Sequence, residues 1–307
     1  MSDFAARLTD YVQAIEEALP AFLPPVCGDD VLAGEDKVAQ AMSYSLLGGG
    51  KRLRGVLVLA SCALFDSAKA QKAMPFAAAL EMIHASSLIH DDLPCMDDDD
   101  LRRGKPACHI AFGEAMALLA GDALLVLPFA ICAGQELRAC FGAERVLDAM
   151  ALLAEAIGVA GMIGGQAIDL QSEGMTADPE LLRRMDNKKT GALIGAAVAI
   201  GCILGGADKP ARDSMVQYAT RLGLAFQIQD DILDATGDAA VLGKPIGSDA
   251  ENQKATYVTL LGLDGAARLA ADCTEQAAAA LAEVEKQTGC DTAFLRDLLA
   301  YLLHRDH

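Results

Sequence analysis

Ser87-Leu-Ile-His-Asp-Asp-Leu-Pro-Cys-Met-Asp-Asp-Asp-Asp-Leu-Arg-Arg103 packs six aspartates between Asp91 and Asp100 and follows them at once with two arginines. Left alone, that much like charge repels itself and favours disorder. Yet the flanks are apolar, from Met82 to Ile89 and from Ala115 to Leu127. An acidic knot set into greasy sequence needs a counter-charge, and a divalent cation supplies one. Aspartate oxygens are hard ligands that suit Mg2+, Mn2+ or Ca2+ better than Zn2+. Arg102 and Arg103 beside the acids point to a phosphate group in the same place, because a guanidinium pairs with phosphate oxygens bidentately. Upstream, His84, Ser87, Leu88 and Asp91 fall at i, i+3, i+4 and i+7, one face of a helix. A histidine and a carboxylate thus line one wall about 10 Å apart. Taken alone, a histidine at such a position is more often a hydrogen-bonded core residue.

The rest of the chain reads as helical. Of its 307 residues 53% are hydrophobic and only 5% aromatic, with no tryptophan. Alanine, leucine and glycine at that level describe closely packed helices, not a β-sandwich. A net charge of −18 argues against nucleic acid or an anionic membrane surface as partner. Nine cysteines without a Cys-x-x-Cys pair read as small buried hydrophobes of a reducing compartment. Met1-Ser-Asp-Phe4 has none of the basic-then-apolar character of a secretory leader, so the cytoplasm is the expected location.

Apolar spacing predicts helices over residues 3–20, 35–47, from Arg54 to about Phe65, 73–92, 113–140 and 143–171. The fourth of these leads into the acidic knot, where Pro94 breaks or kinks it, and Asp178-Pro179-Glu180 opens another helix with an acid at the cap. Further helices are expected over 209–234, 249–263, 265–287 and 291–304. No useful period-two alternation, repeat or linker interrupts the pattern, so 1–307 reads as one all-α domain. Thr190 to Ala207 is nearly long enough to span a bilayer, but its glycines and alanines fit a helix buried inside a bundle better.

A second acidic site lies far downstream. In Phe226-Gln-Ile-Gln-Asp-Asp-Ile-Leu-Asp234, residues Gln227, Asp230, Asp231 and Asp234 form one stripe at i, i+3, i+4 and i+7. A solvated acidic face is the ordinary fate of such a cluster, but no lysine or arginine sits at i±4 to relieve it. Two aspartate clusters on apolar helices look like facing jaws. The basic groups are sparse: Lys51, Arg52 and Arg54 after Gly48-Gly49-Gly50, then Lys188-Lys189-Thr190-Gly191, then Gly243-Lys244. Glycines ahead of a helix let backbone N–H groups approach an anion. A nucleotide P-loop is excluded, because it would need Gly at 45 and Ser or Thr at 52, where this chain has Ser45 and Arg52. A calcium EF-hand loop starting at Asp91 fails at Leu93 and Met96.

Asp-Asp-x4-Asp followed by Leu-Arg-Arg-Gly, a later Asp-Asp-x2-Asp and an early Gly-Gly-Lys-Arg together resemble the trans-prenyl diphosphate synthases, the polyprenyl synthetase family. The likeness runs roughly from Ala39 to Leu261 and is greatest to the bacterial short-chain branch typified by farnesyl diphosphate synthase. It implies an all-α bundle around a deep cavity, a homodimer, and isopentenyl and allylic diphosphates as substrates. By motif, Asp91, Asp92 and Asp97 would form one aspartate-rich site and Asp230, Asp231 and Asp234 the other, together holding three Mg2+ ions, with Mn2+ an alternative. Arg102, Lys189, Thr190, Gln227 and Lys244 match contacts to the allylic substrate. Lys51, Arg54, His84 and Arg103 match the isopentenyl diphosphate pocket. The catalytic set carried over is Asp91, Asp92, Asp97, Arg102, Lys189, Asp230 and Lys244.

The chain departs from the bacterial farnesyl pattern five residues before the first aspartate, where an aromatic commonly floors the product pocket. Here Ser86 stands there, beside Ser87. Small residues leave room for a geranylgeranyl product unless Met82, Ile83 or a neighbouring helix fills the space. A class I terpene cyclase would show an Asn/Ser/Glu triad in place of the second aspartate motif. A non-catalytic partner subunit would be expected to have lost one of the two motifs.

Overall fold

The computed structural model describes residues 2–26, 34–172, 178–236 and 256–303, and among these fourteen α-helices carry the fold. They are α1 Ser2–Phe22, α2 Gly34–Leu46, α3 Leu53–Phe65, α4 Met74–Asp91, α5 Cys108–Phe112, α6 Glu114–Cys132 and α7 Gln135–Phe141. After these come α8 Ala143–Ile157, α9 Met162–Ser172, α10 Pro179–Asp186, α11 Ala192–Gly205, α12 Lys209–Thr236, α13 Tyr257–Thr288 and α14 Ala293–Leu303. Most helices begin and end within a few residues of where apolar spacing places them. Asp178 caps α10 as read, its carboxylate accepting from the Glu180 N–H at 3.1 Å.

Two long runs expected as single helices are each divided. Residues 113–140 part at Gly134, which leaves helical geometry to cap α7. Residues 143–171 part at Gly158–Gly161, and there the Lys188 ammonium binds the freed carbonyls of Val159 and Ala160. A tertiary partner thus stabilises a break that Gly158 and Gly161 make locally cheap. Lys188-Lys189-Thr190-Gly191 does not start α11 but lies within a π-helical turn, Asn187–Gly191, continuous with α10. α13 bends at Gly262, whose φ is +70°, so the division expected near 264 is a kink. Residues 249–255 and the tail beyond 303 fall outside the described residues. One feature escaped the periodicity: Leu101–Arg102 (β1) and Lys105–Pro106 (β2) pair as a minimal antiparallel hairpin.

One core draws on residues from Ile15 in α1 to Leu302 in α14. α4 lies within it, burying Phe76, Leu80, Met82, Ile83 and Ile89. A smaller cluster of Leu182, Leu224, Ala225, Ile228, Tyr257 and Cys273 underlies the second aspartate stripe. α11 is buried along almost its whole length, as expected of the uncharged run. It lies against α3 through glycines. A Cβ on Gly201 would meet Val58 O at 2.5 Å and Ser61 Cβ at 2.7 Å, and one on Gly205 would meet Cys62 O at 2.9 Å. By length and composition three helical stretches, Glu114–Cys132, Ala143–Ser172 and Pro179–Gly205, are apolar enough to cross a membrane. Only one side of α6 is covered; Leu118, Leu119, Asp122 and Val126 are exposed.

Because the α3–α11 contact is made backbone to backbone, Gly201→Ala should force the helices apart and cost about 1–3 kcal/mol. Urea unfolding reads this directly, and an unchanged midpoint would show that the two helices separate without strain.

Candidate active site

α4 delivers Asp91 in its last turn, and Asp92 caps it with its N–H bonded to Leu88 O at 3.1 Å. Both side chains are buried, Asp92 to 2% exposure. Pro94 prevents continuation, and the chain folds back so that the Asp97 N–H donates to Asp91 O at 2.8 Å. That single bond brings the third aspartate of the motif beside the first. Arg102 Nε then grips Asp92 Oδ1 at 3.0 Å and Oδ2 at 3.2 Å, while Nη2 reaches Asp92 and, at 3.2 Å, Asp99 Oδ2.

The hairpin that carries Arg102 turns through Arg103 and Gly104, both at positive φ (+54° and +73°). Two-residue hairpin loops favour that geometry because it matches strand twist. Glycine adopts it freely, whereas for Arg103 it is uncommon, a strain typical of functional positions. The turn aims the Arg103 guanidinium at the glycine loop, where it donates to Gly49 O and lies about 3 Å from where a Cβ on Gly50 would stand. Lys51 is exposed at that loop, and Arg54 is the second residue of α3, with its Nε buried and unpartnered. His84 lies among these cations. Burial, then the charges of Arg54, Arg103, Arg102 and Arg52, push its pKa well down, so the imidazole is neutral at pH 7.

The opposite wall is built by α9, the π-turn and α12. A Cβ on Gly165 would run into the Lys189 backbone, so the glycine permits α9 to press against the turn. The Lys189 ammonium is ion-paired to Asp169 Oδ2. Burial works against its charge, but Asp91, Asp169 and Asp97 outweigh that and raise its pKa. Lys189 therefore links the first aspartate motif to α9. Its neighbour Thr190 donates to Gln227 Oε1 at 3.2 Å, and Gln227 Nε2 donates to Asp231 Oδ1 at 3.1 Å. The second aspartate stripe is not a solvated face: Asp231 is buried, and Asp230 and Asp234 are half-buried. The two clusters are brought to one site through Lys189 and Thr190, as the facing-jaws reading requires. Lys244 lies outside the described residues.

Four residues absent from the sequence reading belong to this site. Gln166 Nε2 bonds Asp91 Oδ1, and Asp169 holds Lys189. Their i, i+3 spacing in an otherwise apolar helix was a legible signal. Tyr257 gives its backbone N–H to Asp231 Oδ2 at 2.8 Å, across 26 residues of sequence. Asp186, at the end of α10, is buried; its Oδ2 and the Tyr257 hydroxyl both lack a hydrogen bond of good geometry. Burial, then the charge of Asp231, pushes the Asp186 pKa up to about 7. Asp91 is raised too, by burial first, with Lys189 opposing.

Among the described residues no three His, Cys, Asp or Glu side chains converge closely enough to hold a metal ion unaided. The donor chemistry nevertheless fits Mg2+, which takes one or two carboxylates, waters and substrate phosphate oxygens rather than an all-protein cage. Below Asp91 on α4, Ser86, Met82 and Ile83 are buried, and Ser87 Oγ donates to His84 O at 2.9 Å. A cavity of about 40 Å³ lies on the adjacent flank of α4, lined by Tyr44, Ala85, Leu88, Ile89, Arg103 and Cys108 among others. Met82, Ile83 and Ser86 do not line it.

The profile described as polyprenyl synthetase matches residues 35–290. The chain is 45% identical to the farnesyl diphosphate synthase of Escherichia coli K12 over 306 residues, 99% of each chain. It is 40% identical to a chloroplastic geranylgeranyl pyrophosphate synthase of Catharanthus roseus over 301 residues, 97% of this chain and 81% of the plant protein. Among solved structures, an FPP/GFPP synthase from Zymomonas mobilis superposes with a TM-score of 0.84 at 38% identity, covering 98% of this chain and 99% of that one.

Asp186 should make stability fall with pH. Its folded pKa of about 7 lies above the ordinary 3.8, so the fold is favoured below pH 3.8 and loses that advantage as pH rises through 7. In metal-free buffer Asp186→Asn should match the wild type near pH 4 and exceed it at pH 8 by up to roughly 4 kcal/mol, three units at about 1.4 each. Parallel unfolding curves at both pH values would instead place the Asp186 carboxylate in contact with water.

Proposed function

The chain belongs to the polyprenyl synthetase family and is a prenyltransferase, and from that premise we propose that it condenses isopentenyl diphosphate with dimethylallyl or geranyl diphosphate to give farnesyl diphosphate. The observation that carries the reading is the Lys189 ammonium, coupled at once to Asp91, Asp97 and Asp169, with Thr190 beside it reaching Gln227 and Asp231. This arrangement suits a diphosphate whose leaving oxygens are met by cations from one side and metal-ligating carboxylates from the other.

Asp91, Asp92, Asp97, Asp230, Asp231 and Asp234 are the residues that would hold Mg2+, three ions by family likeness. Bound there, the metal neutralises charge that develops on the leaving diphosphate. Arg102, Lys189, Thr190 and Gln227, with Lys244, orient the allylic diphosphate while its carbon–oxygen bond breaks and pyrophosphate departs with the electron pair. Lys51, Arg54, Arg103 and neutral His84 hold the isopentenyl diphosphate. Its double bond attacks the allylic cation, and the released pyrophosphate takes the proton that restores the alkene. The apolar walls behind α4 keep water from the cation.

Farnesyl diphosphate is preferred to geranylgeranyl diphosphate as product. Although Ser86 is small, Met82 and Ile83 are buried close below it, and the farnesyl-producing relative is more alike than the plant geranylgeranyl one. We read 1–307 as a single catalytic domain, supported by the shared core from Ile15 to Leu302. Eight free cysteines among the described residues support a reducing compartment, the cytoplasm. The exposed stripe Leu118, Leu119 and Val126 on α6 is read as the interface of a homodimer. Asp122 in its midst argues against lipid, where a carboxylate is costly.

Sizing phosphatase-treated products, with each allylic starter supplied separately, tests the reaction. Farnesol as the terminal product is expected; geranylgeraniol would make the longer product the true one, and no elongation would overturn the enzyme reading. Asp91→Ala and Asp230→Ala should each lower turnover about 10²-fold or more. Val126→Glu should yield monomers by light scattering, and an unaltered dimer would move the interface elsewhere.

A further inference from the structure

We propose that Glu81 is a positioning residue for the isopentenyl diphosphate pocket, a buried carboxylate on α4 that caps the first turn of α3 and thereby sets where Lys51 and Arg54 stand relative to His84. The inference rests on the pocket assignment above, which does not include Glu81.

α3 starts without the usual help. Its N-cap, Arg52, lies in the left-handed region (φ +48°) and makes no side-chain cap bond. The third residue of the helix, Gly55, carries an N–H that a capping side chain would ordinarily satisfy. Glu81 does so from another helix: Oε1 accepts from Gly55 N at 2.9 Å. The approach is close enough that a Cβ on Gly55 would meet Ile15 Cδ1 at 2.8 Å and Glu81 Cγ at 3.4 Å. Lys51 and Arg54 flank this capped turn, and His84 follows Glu81 by three residues on α4. One carboxylate therefore fixes the spacing of both walls of the pocket.

Its charge has a second use. Arg52, Arg54, Arg102 and Arg103 all act on His84, a concentration of guanidinium groups that repel one another. Glu81 is 3% exposed, and its Oε2 stands 3.7 Å from Arg52 Nη1. Arg52 is completed by Glu16 Oε1 at 2.6 Å and Leu46 O at 2.8 Å. Glu16 is partly open to water, so Glu81 is the wholly buried carboxylate of the Arg52 ion pairs, as Asp92 is of the Arg102 pair. Its charge also favours the cationic form of buried Arg54. Among the described residues no carboxylate forms a direct salt bridge with Arg54, so its charge is favoured without being neutralised by contact.

Glu81→Gln separates these uses from bulk, since the amide oxygen still accepts from Gly55 while the charge is lost. Steady-state kinetics should show the KM for isopentenyl diphosphate raised about tenfold or more, with the KM for the allylic starter and turnover at saturation unchanged. Glu81→Asp, which keeps the charge but shortens the reach, should fall between, and it serves as the variant if the glutamine protein does not fold. Equal rises in both KM values, or a lowered melting temperature with neither KM changed, would reduce Glu81 to a structural residue and overturn the proposal. Arg54→Ala is the control. If it leaves the isopentenyl KM unchanged, the pocket assignment itself is wrong; if it raises that KM and Glu81→Gln does not, only the positioning role fails.

Discussion

The site depends on one ammonium group standing where carboxylates from separate helices converge. Lys189 is half-buried, which by itself would disfavour its charge, yet Asp91, Asp169 and Asp97 together hold it protonated. Without it the acids of the first motif would face those of α9 and α12 across a poorly screened space. With it, an otherwise apolar core can hold a strongly polar cluster.

Keeping Lys189 there takes unusual backbone. The π-turn of Asn187–Gly191 interrupts what would otherwise be one helix from Pro179 to Gly205, and π-turns recur at functional sites. Gly165 gives α9 the clearance to reach it. Across the cavity, the positive φ angles of Arg52 and Arg103 place guanidinium groups where regular structure would not. Strain and close approach are thus concentrated around the candidate site, while the surrounding helices carry the stability.

In this state the carboxylates are not waiting unpartnered. Asp91 is held by Gln166, Asp92 by Arg102, and Asp231 by Gln227 and the Tyr257 N–H. Each partner orients an oxygen and offsets the burial of its charge. Cations and amide donors of the protein occupy positions that a charged substrate and its counter-ions can share.

Much of this was legible in the sequence. The helices follow from the apolar period, the second aspartate motif from i, i+3, i+4 and i+7 spacing, and the first from six aspartates crowded into ten residues, because all of these are local properties of the chain. Even the cap at Asp178 and the stop at Pro94 are local. The partners were not legible. Gln166 finds Asp91 across 75 residues, and Tyr257 finds Asp231 across 26. Lys188 stabilises a helix break 28 and 29 residues away, and Glu81 caps a helix that begins 28 residues before it. The sequence by itself determined an all-α chain bearing two acidic clusters and a few well-spaced cations. Tertiary structure alone decided which buried group meets which, since burial makes a polar group's partner a matter of three-dimensional approach rather than of spacing along a helix.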